Sequence, residues 1–484
     1  MKPAVVQHKK LTSDGFLQDI DSPADRGSVH AERFSSCQVR TGFCDGEEIA
    51  QVVPFNRAGC AFLHVGVQIN SFSWGSAFSR LLSQCIAASG SPSNFPPIKS
   101  DQKMANYARI ISQMPTRYAR GWHCFGLERE IRTGEVTGLE AFGTKLVAYR
   151  GEDGRIRIFD GICPHMGANL ALGAVKGNNL ECPFHSWQWG EGGQCEHIPY
   201  ASRIPMKARI REWQTMIENE LLFIWHDHEE KPPIEEQRIP AHRCCYEAGW
   251  SDWVVISRPA NTNCRELIDN LSDVYHFEPV HGSPVSSFIN VAERHTYCQM
   301  LTGGNQLIGT GDSLRSIAYY HGPSYVIADM DAEMWGHRLE CIMMIGSVPV
   351  HQNQFMMHFG MKVRAVPELS FSENQKLIAA YIANGQETFF QDLRIWDKKT
   401  RVDNPILCDG DGPVYQLRDW YHQFYLDRAD VPASVEEKRV YVTRRREDTR
   451  EWVLEEHGFD IDKQEPTGII RSFEEAALGV SEQA

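Results

Sequence analysis

Cysteine is scarce in this chain: 14 among 484 residues, with no repeated spacing that would pair them. A disulfide-stapled extracellular scaffold is therefore excluded, and a reducing, cytoplasmic compartment is expected. Long apolar runs are missing as well. The stretch 61–69 stops far short of the ~18 residues of a membrane span, and the opening MKPAVVQHKKLTSDG has basic residues but not the apolar segment of a secretory signal. Positive charge is in deficit: 49 Lys and Arg against 63 Asp and Glu leave −14. Neither nucleic acid nor an anionic membrane surface suits such a chain. Methionine is absent between Met1 and Met104, and Arg80 is the lone charged residue in 58–98. Residues 1–103 are thus expected to be a poorly ordered leader outside the working protein.

What is there divides in two. Residues 104–232 read as a small all-β module, with strands at 139–150, 155–160 and 220–226 separated by glycine-rich breaks such as 190–193 and closed by a proline-rich link at 231–233. Residues 233–430 mix elements. A helix is expected at 263–276 and an antiparallel set of strands at 324–330, 339–348 and 354–363. A long helix follows, opened by the Ser370/Glu373 capping box and carrying Ile378, Ile382, Phe389, Leu393 and Trp396 at helical spacing. Residues 431–484 are crowded with charge and read as a tail on the surface.

The first chemical signal is Cys163-Pro-His165 followed, after 16 residues, by Cys182-Pro-Phe-His185. Two thiolates and two imidazoles suit either a tetrahedral zinc site or a Rieske [2Fe–2S] cluster, in which two Cys hold one iron and two His the other. Zinc fingers group Cys with Cys and His with His. Here each loop delivers one of each, as a binuclear cluster requires. The nearby His123, His197, Cys124 and Cys195 lack ligand spacing and read as packing or surface residues.

The second signal is NCRELIDNLSDVYHFEPVHG. On the expected helix, Asn270, Asp273 and His276 share a face, and Pro279 lets the chain turn so that His281 converges on His276. Two histidines and one carboxylate form the facial triad of non-haem Fe(II) oxygenases, leaving positions open for O2, water or substrate. Asp392 is the candidate carboxylate: it shares the inward face of the long helix with Phe389 and Trp396, where an unpartnered charge would be costly. Asp273, one turn before His276, is placed to hydrogen-bond the outer ring nitrogen of that ligand.

These motifs, with RYARGWHCFGL at 117–127, EAFGTKLVAYR at 140–150, GPSYVI at 322–327 and the block from Gln391 to Tyr425, resemble the Rieske non-haem iron oxygenases. Within them they resemble the steroid-acting branch of 3-ketosteroid 9α-hydroxylase oxygenase components, to which the cholesterol 7-desaturases are related. Ser186 stands where that branch often has Asp or Gly, and Pro164 where it has Arg. The resemblance implies an α+β protein: an all-β Rieske domain followed by a helix-grip catalytic domain with an antiparallel sheet. It implies one [2Fe–2S] cluster on Cys163, His165, Cys182 and His185, and one mononuclear Fe(II) on His276, His281 and Asp392, with Asn270 near the iron. It further implies a head-to-tail homotrimer in which Asp273 bridges to His185 of the partner subunit, O2 as cosubstrate, and electrons from NADH through a separate flavin and iron–sulfur reductase. The expected reaction is hydroxylation of a ketosteroid ring at C9. A sterol desaturase, an aromatic-ring dioxygenase and a simple Rieske electron carrier are the rival readings.

Overall fold

The computed structural model describes residues 117–462 other than 283 and 409. The expected leader at 1–103 and the last residues of the expected tail, 463–484, lie outside them.

Frequent glycines chop the first part of the described chain into short strands. These are β1 (Gly121–Leu127), β2 (Val136–Ala141), β3 (Thr144–Arg150), β4 (Ile156–Asp160), β5 (Ala174–Lys176) and β6 (Asn179–Glu181). They are followed by β7 (Gln188–Trp189), β8 (Cys195–His197), β9 (Glu212–Trp213), β10 (Thr215–Glu218) and β11 (Leu221–His226). They form three small sheets in the orders β1-β11-β10, β2-β3-β4-β9 and β5-β6-β7-β8. The single strand expected at 139–150 is a hairpin instead. Phe142 and Gly143, at φ of 53° and 73°, form its two-residue turn between Ala141 and Thr144, the turn geometry that matches the strands' own twist. A strand pattern on both sides hid that turn, because phenylalanine is an unusual residue for a left-handed position.

The second part is one eight-stranded antiparallel sheet with helices on it. Its elements are β12 (Val254–Ala260), α1 (Arg265–Asp269), α2 (Phe277–His281), β13 (Val285–Glu293), β14 (Thr296–Asn305), β15 (Gly309–His321) and β16 (Tyr325–Met334). Then come β17 (His337–His351), β18 (Gln354–Val363), α3 (Phe371–Trp396), α4 (Val414–His422), β19 (Arg439–Arg444) and α5 (Thr449–His457). The strand order is β12-β18-β17-β16-β15-β14-β13-β19. The charged segment expected to lie on the surface thus supplies an edge strand: the consecutive Val440 and Tyr441 of β19 are both buried, Val440 in one cluster with Trp452 and Val453 of α5 and Tyr441 in the main core of the sheet.

The long helix forms as expected, with the reciprocal Ser370/Glu373 cap in place. Leu377, Tyr381, Ile382, Phe389, Leu393 and Trp396 face the sheet, and Phe389 stacks on Phe359 of β18 at 4.5 Å. Each such ring removes apolar surface worth about 1.5–3 kcal/mol from water. Gly385 lets the helix approach closely, since a Cβ there would collide with Met361. β1 packs on the sheet in the same manner: Gly346 of β17 faces Cys124, and Trp122, Phe223 and Trp225 share a core with Tyr325, Ile327, Ile342 and Met344. The small sheets and the large one are therefore locked together rather than tethered.

The helix expected at 263–276 is replaced by two short ones. α1 ends at Asp269, and the chain turns through Leu271 and Ser272 before α2 begins after His276. Asn270, Asp273 and His276 therefore do not lie along one helix face. Pro279 does not interrupt α2 either. It occupies the first turn, where its missing N–H would have had no partner anyway. Among the described residues no helix is long and apolar enough to cross a membrane.

Candidate metal centres and substrate cavity

The two Cys-His loops leave β4 and β6 and are hydrogen-bonded in the same way. The Cys163 N–H donates to the Ala168 carbonyl at 2.9 Å, and the Cys163 carbonyl accepts from the Gly167 N–H at 2.9 Å. In the second loop, the Cys182 N–H donates to the Trp187 carbonyl at 2.8 Å and its carbonyl accepts from the Ser186 N–H at 3.1 Å. The fourth residue after each cysteine is left-handed, Gly167 at φ 77° and Ser186 at φ 53°. Gly and Asp are residues that reach this region readily, so the alternatives usual at position 186 share a backbone reason.

The loops bring the four side chains together at one end of the module. Both cysteines are buried, and the His165 and His185 rings lie 4.7 Å apart. Burial, together with the adjacent Cys182 thiol, pushes the Cys163 thiol up to about 11. The Nδ1 atoms of both histidines are buried and have no hydrogen-bond partner. Unpaired buried nitrogens are costly, and two thiols without a cation nearby stay protonated. Both deficits are removed by a metal group that takes two imidazoles on one side and two thiolates on the other, so the residues fit a [2Fe–2S] cluster. Trp187 stacks on His165 at 4.3 Å and donates from Nε1 to the Tyr200 hydroxyl at 2.8 Å, which fixes the first ring. The expected packing roles also hold: His123 and Cys124 are buried in the core, while His197 is exposed.

The second constellation is drawn from α2 and α3. His276 caps α2, His281 ends it, and Asp392 lies on α3. Their donor atoms lie within 4.8 Å of one another. His281 Nε2 is 3.5 Å and His276 Nε2 4.0 Å from Asp392 Oδ1. Ligands ~2 Å from a common ion and at right angles stand ~3 Å apart, so a small contraction would close this set on a cation. Burial alone would lower the His281 pKa, yet the Asp392 carboxylate and then Gln391 outweigh it and raise the value. The pocket thus already favours positive charge.

The outer nitrogens of both rings are tied off. His276 Nδ1–H donates to the Asp273 backbone carbonyl at 2.7 Å. The acceptor carries no hydrogen, so the proton must be on Nδ1, and Nε2 keeps its lone pair. The carboxylate of Asp273, expected to make this bond, is instead 3.7 Å from the ring and accepts from the Tyr275 and His276 backbone N–H groups. Partial burial raises the Asp273 pKa, but His276 overcomes this and leaves it below the usual carboxylate value. His281 Nδ1 faces Gln391 Oε1 at 2.9 Å. Sequence reasoning missed Gln391, though its place next to Asp392 was the available signal.

An ion-pair cluster holds this segment in place. Glu266 and Asp269 of α1 are buried, and Arg401, Lys399 and Arg418 from the chain after α3 meet them at 2.5–3.3 Å. The charged block that follows Asp392 therefore clamps the helix leading into Asn270 and His276.

Asn270, His276, His281 and Asp392 line one cavity. Its remaining wall is largely apolar, including Leu301, Ile308, Met343, Ile345 and Phe359. Because Gln299, Leu301 and Asn305 of β14 all border it, it extends along ~20 Å of strand.

Known proteins agree with this picture. Residues 121–211 match the Rieske [2Fe-2S] domain family, and residues 224–425 match the family described as the 3-ketosteroid 9alpha-hydroxylase C-terminal domain. The 3-ketosteroid-9-alpha-monooxygenase oxygenase component of Rhodococcus rhodochrous is 41% identical over 347 residues, 68% of this chain and 86% of that one. The protein of the same name from Mycobacterium tuberculosis is 41% identical over 345 residues, 69% of this chain and 89% of that one. A cholesterol 7-desaturase of Bombyx mori is more distant, 29% identical over 66% of this chain and 72% of that one. In fold, the chain is similar to Pseudomonas putida CBB5 NdmA with caffeine, at a TM-score of 0.53 and 16% identity over 66% of this chain and 92% of that one. The chain belongs to the Rieske oxygenases, in the family of the 3-ketosteroid-9-alpha-monooxygenase oxygenase components.

Proposed function

We propose that this protein is the terminal oxygenase of a Rieske-type monooxygenase that hydroxylates a steroid ring, most specifically a 3-ketosteroid at C9. The observation that carries the reading is the cavity: two histidines and a carboxylate open into an elongated apolar chamber, in a chain that also carries the Cys-His loops. The names of the relatives at 41% identity supply the substrate class.

In this reading residues 104–232 form the Rieske domain and 233–430 the catalytic domain. Cys163, His165, Cys182 and His185 hold the cluster, and His276, His281 and Asp392 hold the mononuclear iron. When bound, the cluster relays single electrons and the iron activates O2 toward a C–H bond. The chain's own residues do the rest. The Asp273 carbonyl and Gln391 hold the ligand rings in one tautomer. Asp392 neutralises part of the metal charge. The apolar wall excludes water and fixes which carbon faces the metal. The Asp273 side chain is 49% exposed, which suits a bridge to His185 of the partner subunit in a head-to-tail homotrimer. Electrons come from NADH through a separate reductase.

The test is turnover of a ketosteroid panel by the iron-loaded protein with a surrogate NADH-dependent reductase, products being identified by mass spectrometry and NMR. A ring-hydroxylated product without a new double bond is expected. A new double bond would establish a desaturase. About two irons per chain instead of about three would reduce the protein to an electron carrier.

A further inference from the structure

Asn305 closes β14 at the wall of the iron-site cavity and is 2% exposed. Its Oδ1 accepts from the backbone N–H groups of Leu307 at 2.9 Å and Ile308 at 3.3 Å. The Thr388 hydroxyl lies 3.3 Å from the same oxygen. Two fixed N–H donors settle which end of the amide is which, because rotating it would point the NH2 group at them. The orientation is anchored on the other side as well. Asn384 donates to the Leu307 carbonyl at 2.8 Å, so the turn after β14 is bonded to α3.

The nitrogen Nδ2 is left without a protein acceptor among the described residues. Although the residue as a whole is buried, this nitrogen is not sealed off and opens on the cavity, whose lining includes the apolar Ile308 and Leu314. The other end of the strand differs: Gln299 also borders the cavity, but its Nε2 is already given to the Leu271 carbonyl at 2.9 Å. Thr388, which bonds Asn305, sits about one helical turn before Asp392, or ~6 Å along α3. The donor therefore stands near the proposed metal ligands, within reach of a substrate held in the cavity beside them.

We propose that Asn305 is a specificity-determining residue that donates an Nδ2 hydrogen bond to a carbonyl oxygen of the steroid. This rests on the steroid reading above and deepens it. A wall of this kind holds a ketone better than the corresponding hydrocarbon, because a ligand without the oxygen displaces water from the N–H and leaves it unpaired. The two backbone bonds hold the donor rigid, so little ordering is lost on binding.

The Asn305→Asp substitution separates the two jobs of the residue. It keeps an oxygen for Leu307 and Ile308 but exchanges the donor for an acceptor. Binding of a 3,17-diketosteroid, its 3-deoxo and 17-deoxo analogues and its 3-hydroxy and 17-hydroxy analogues would be measured by calorimetry on the iron-loaded protein. For both Asn305→Asp and Asn305→Ala, Kd for the diketone should rise about tenfold or more. The analogue lacking the contacted carbonyl should change far less, and Asn305→Asp should favour the matching hydroxysteroid. KM should rise with kcat little changed. Equal weakening of the diketone and of both deoxo analogues, or no change at all, would overturn the assignment. Wild-type product analysis is read separately. Hydroxylation that is indifferent to position 305 sinks this inference alone. Asn305-dependent binding without hydroxylation sinks the oxygenase reading and leaves the carbonyl contact standing.

Discussion

Gln391 Oε1 stands 2.9 Å from His281 Nδ1, while the next residue in the chain, Asp392, faces the other nitrogen of the same ring at 3.5 Å. One step along α3 thus supplies both a proposed metal ligand and the group that orients the neighbouring His281 ring. Replacing Gln391 with Leu should free the His281 ring and lower iron retention 10–100-fold, the range typical for lost partners of metal-bound histidines. Gln391→Glu should restore it, since a carboxylate accepts the same N–H. Iron content after dialysis against a chelator checks this; a Leu variant that keeps its iron would assign Gln391 to packing.

Asp392 stands beside His276 and His281, and among the described residues its metal-competent cluster includes no member of the Cys-His loops. Asp392→Ala should therefore abolish turnover, lower the iron count by about one per chain and leave the visible absorption of the cluster intact. Loss of that absorption would contradict two independent centres.

Asp273 orients His276 with its backbone carbonyl, which no substitution removes, and its carboxylate stabilises the turn while facing outward. Asp273→Asn keeps an oxygen for the two backbone N–H groups, so the fold and both metals should survive. If the carboxylate bridges to the partner subunit's cluster, single-turnover oxidation of the reduced cluster should slow by at least about tenfold. An unchanged rate would leave the turn as its role.

The candidate ligand sets that the structure brings together were readable in the sequence where residue types with strong chemistry fall at fixed spacing: Cys163 to His185, His276 and His281, and Asp392 on an otherwise apolar face. Long patterns were readable for the same reason, as the capped α3 and the strands before it show. What failed was local. The helix across Asn270 breaks because Asn290 and Gln299, distant in sequence, both donate to the Leu271 carbonyl at 2.8 and 2.9 Å and take it out of a helical ladder. The charged segment after 431 joins the sheet because Val440 and Tyr441 find an open edge at β13, and no local pattern discloses a free edge. Gln391 and Asn305 acquire their roles from partners on other elements, so composition could not single them out.

Buried histidines predict acid sensitivity apart from the metals. Burial lowers the His123 pKa to about 4, although its Nε2 bonds the Ala119 carbonyl at 2.9 Å. An unfolded histidine titrates near 6.5. Between these values the unfolded chain binds a proton that the folded one refuses, so stability is full above pH ~6.5 and falls as pH drops toward 4. For a shift of this size the loss is at most ~3 kcal/mol. His123→Gln retains an N–H for Ala119 and cannot titrate. Its melting temperature, followed from pH 7 to 4.5, should fall less steeply than that of the wild type. Parallel curves would place the acid sensitivity elsewhere, with His226, lowered by burial to about 3, the next to replace.

The union of the small sheets with the large one turns on Gly346, where a Cβ would stand 2.5 Å from Cys124 Cβ and 2.6 Å from its Sγ. Gly346 is paired on both sides, with Tyr325 and His358, and Cys124 on one, opposite Phe223, so neither backbone can retreat without disturbing ladder bonds. Gly346→Ala should therefore destabilise the fold by ~1–3 kcal/mol, the usual cost of overpacking. Cys124→Gly alone should also destabilise, by opening a hole in the shared core. In combination the new methyl occupies the space the cysteine vacates, so the double variant should be more stable than the sum of the two losses implies. Denaturant unfolding of all four forms measures that coupling. Simple additivity would mean that β1 moves off the sheet to make room, and that the two parts of the chain are joined less rigidly than this packing requires.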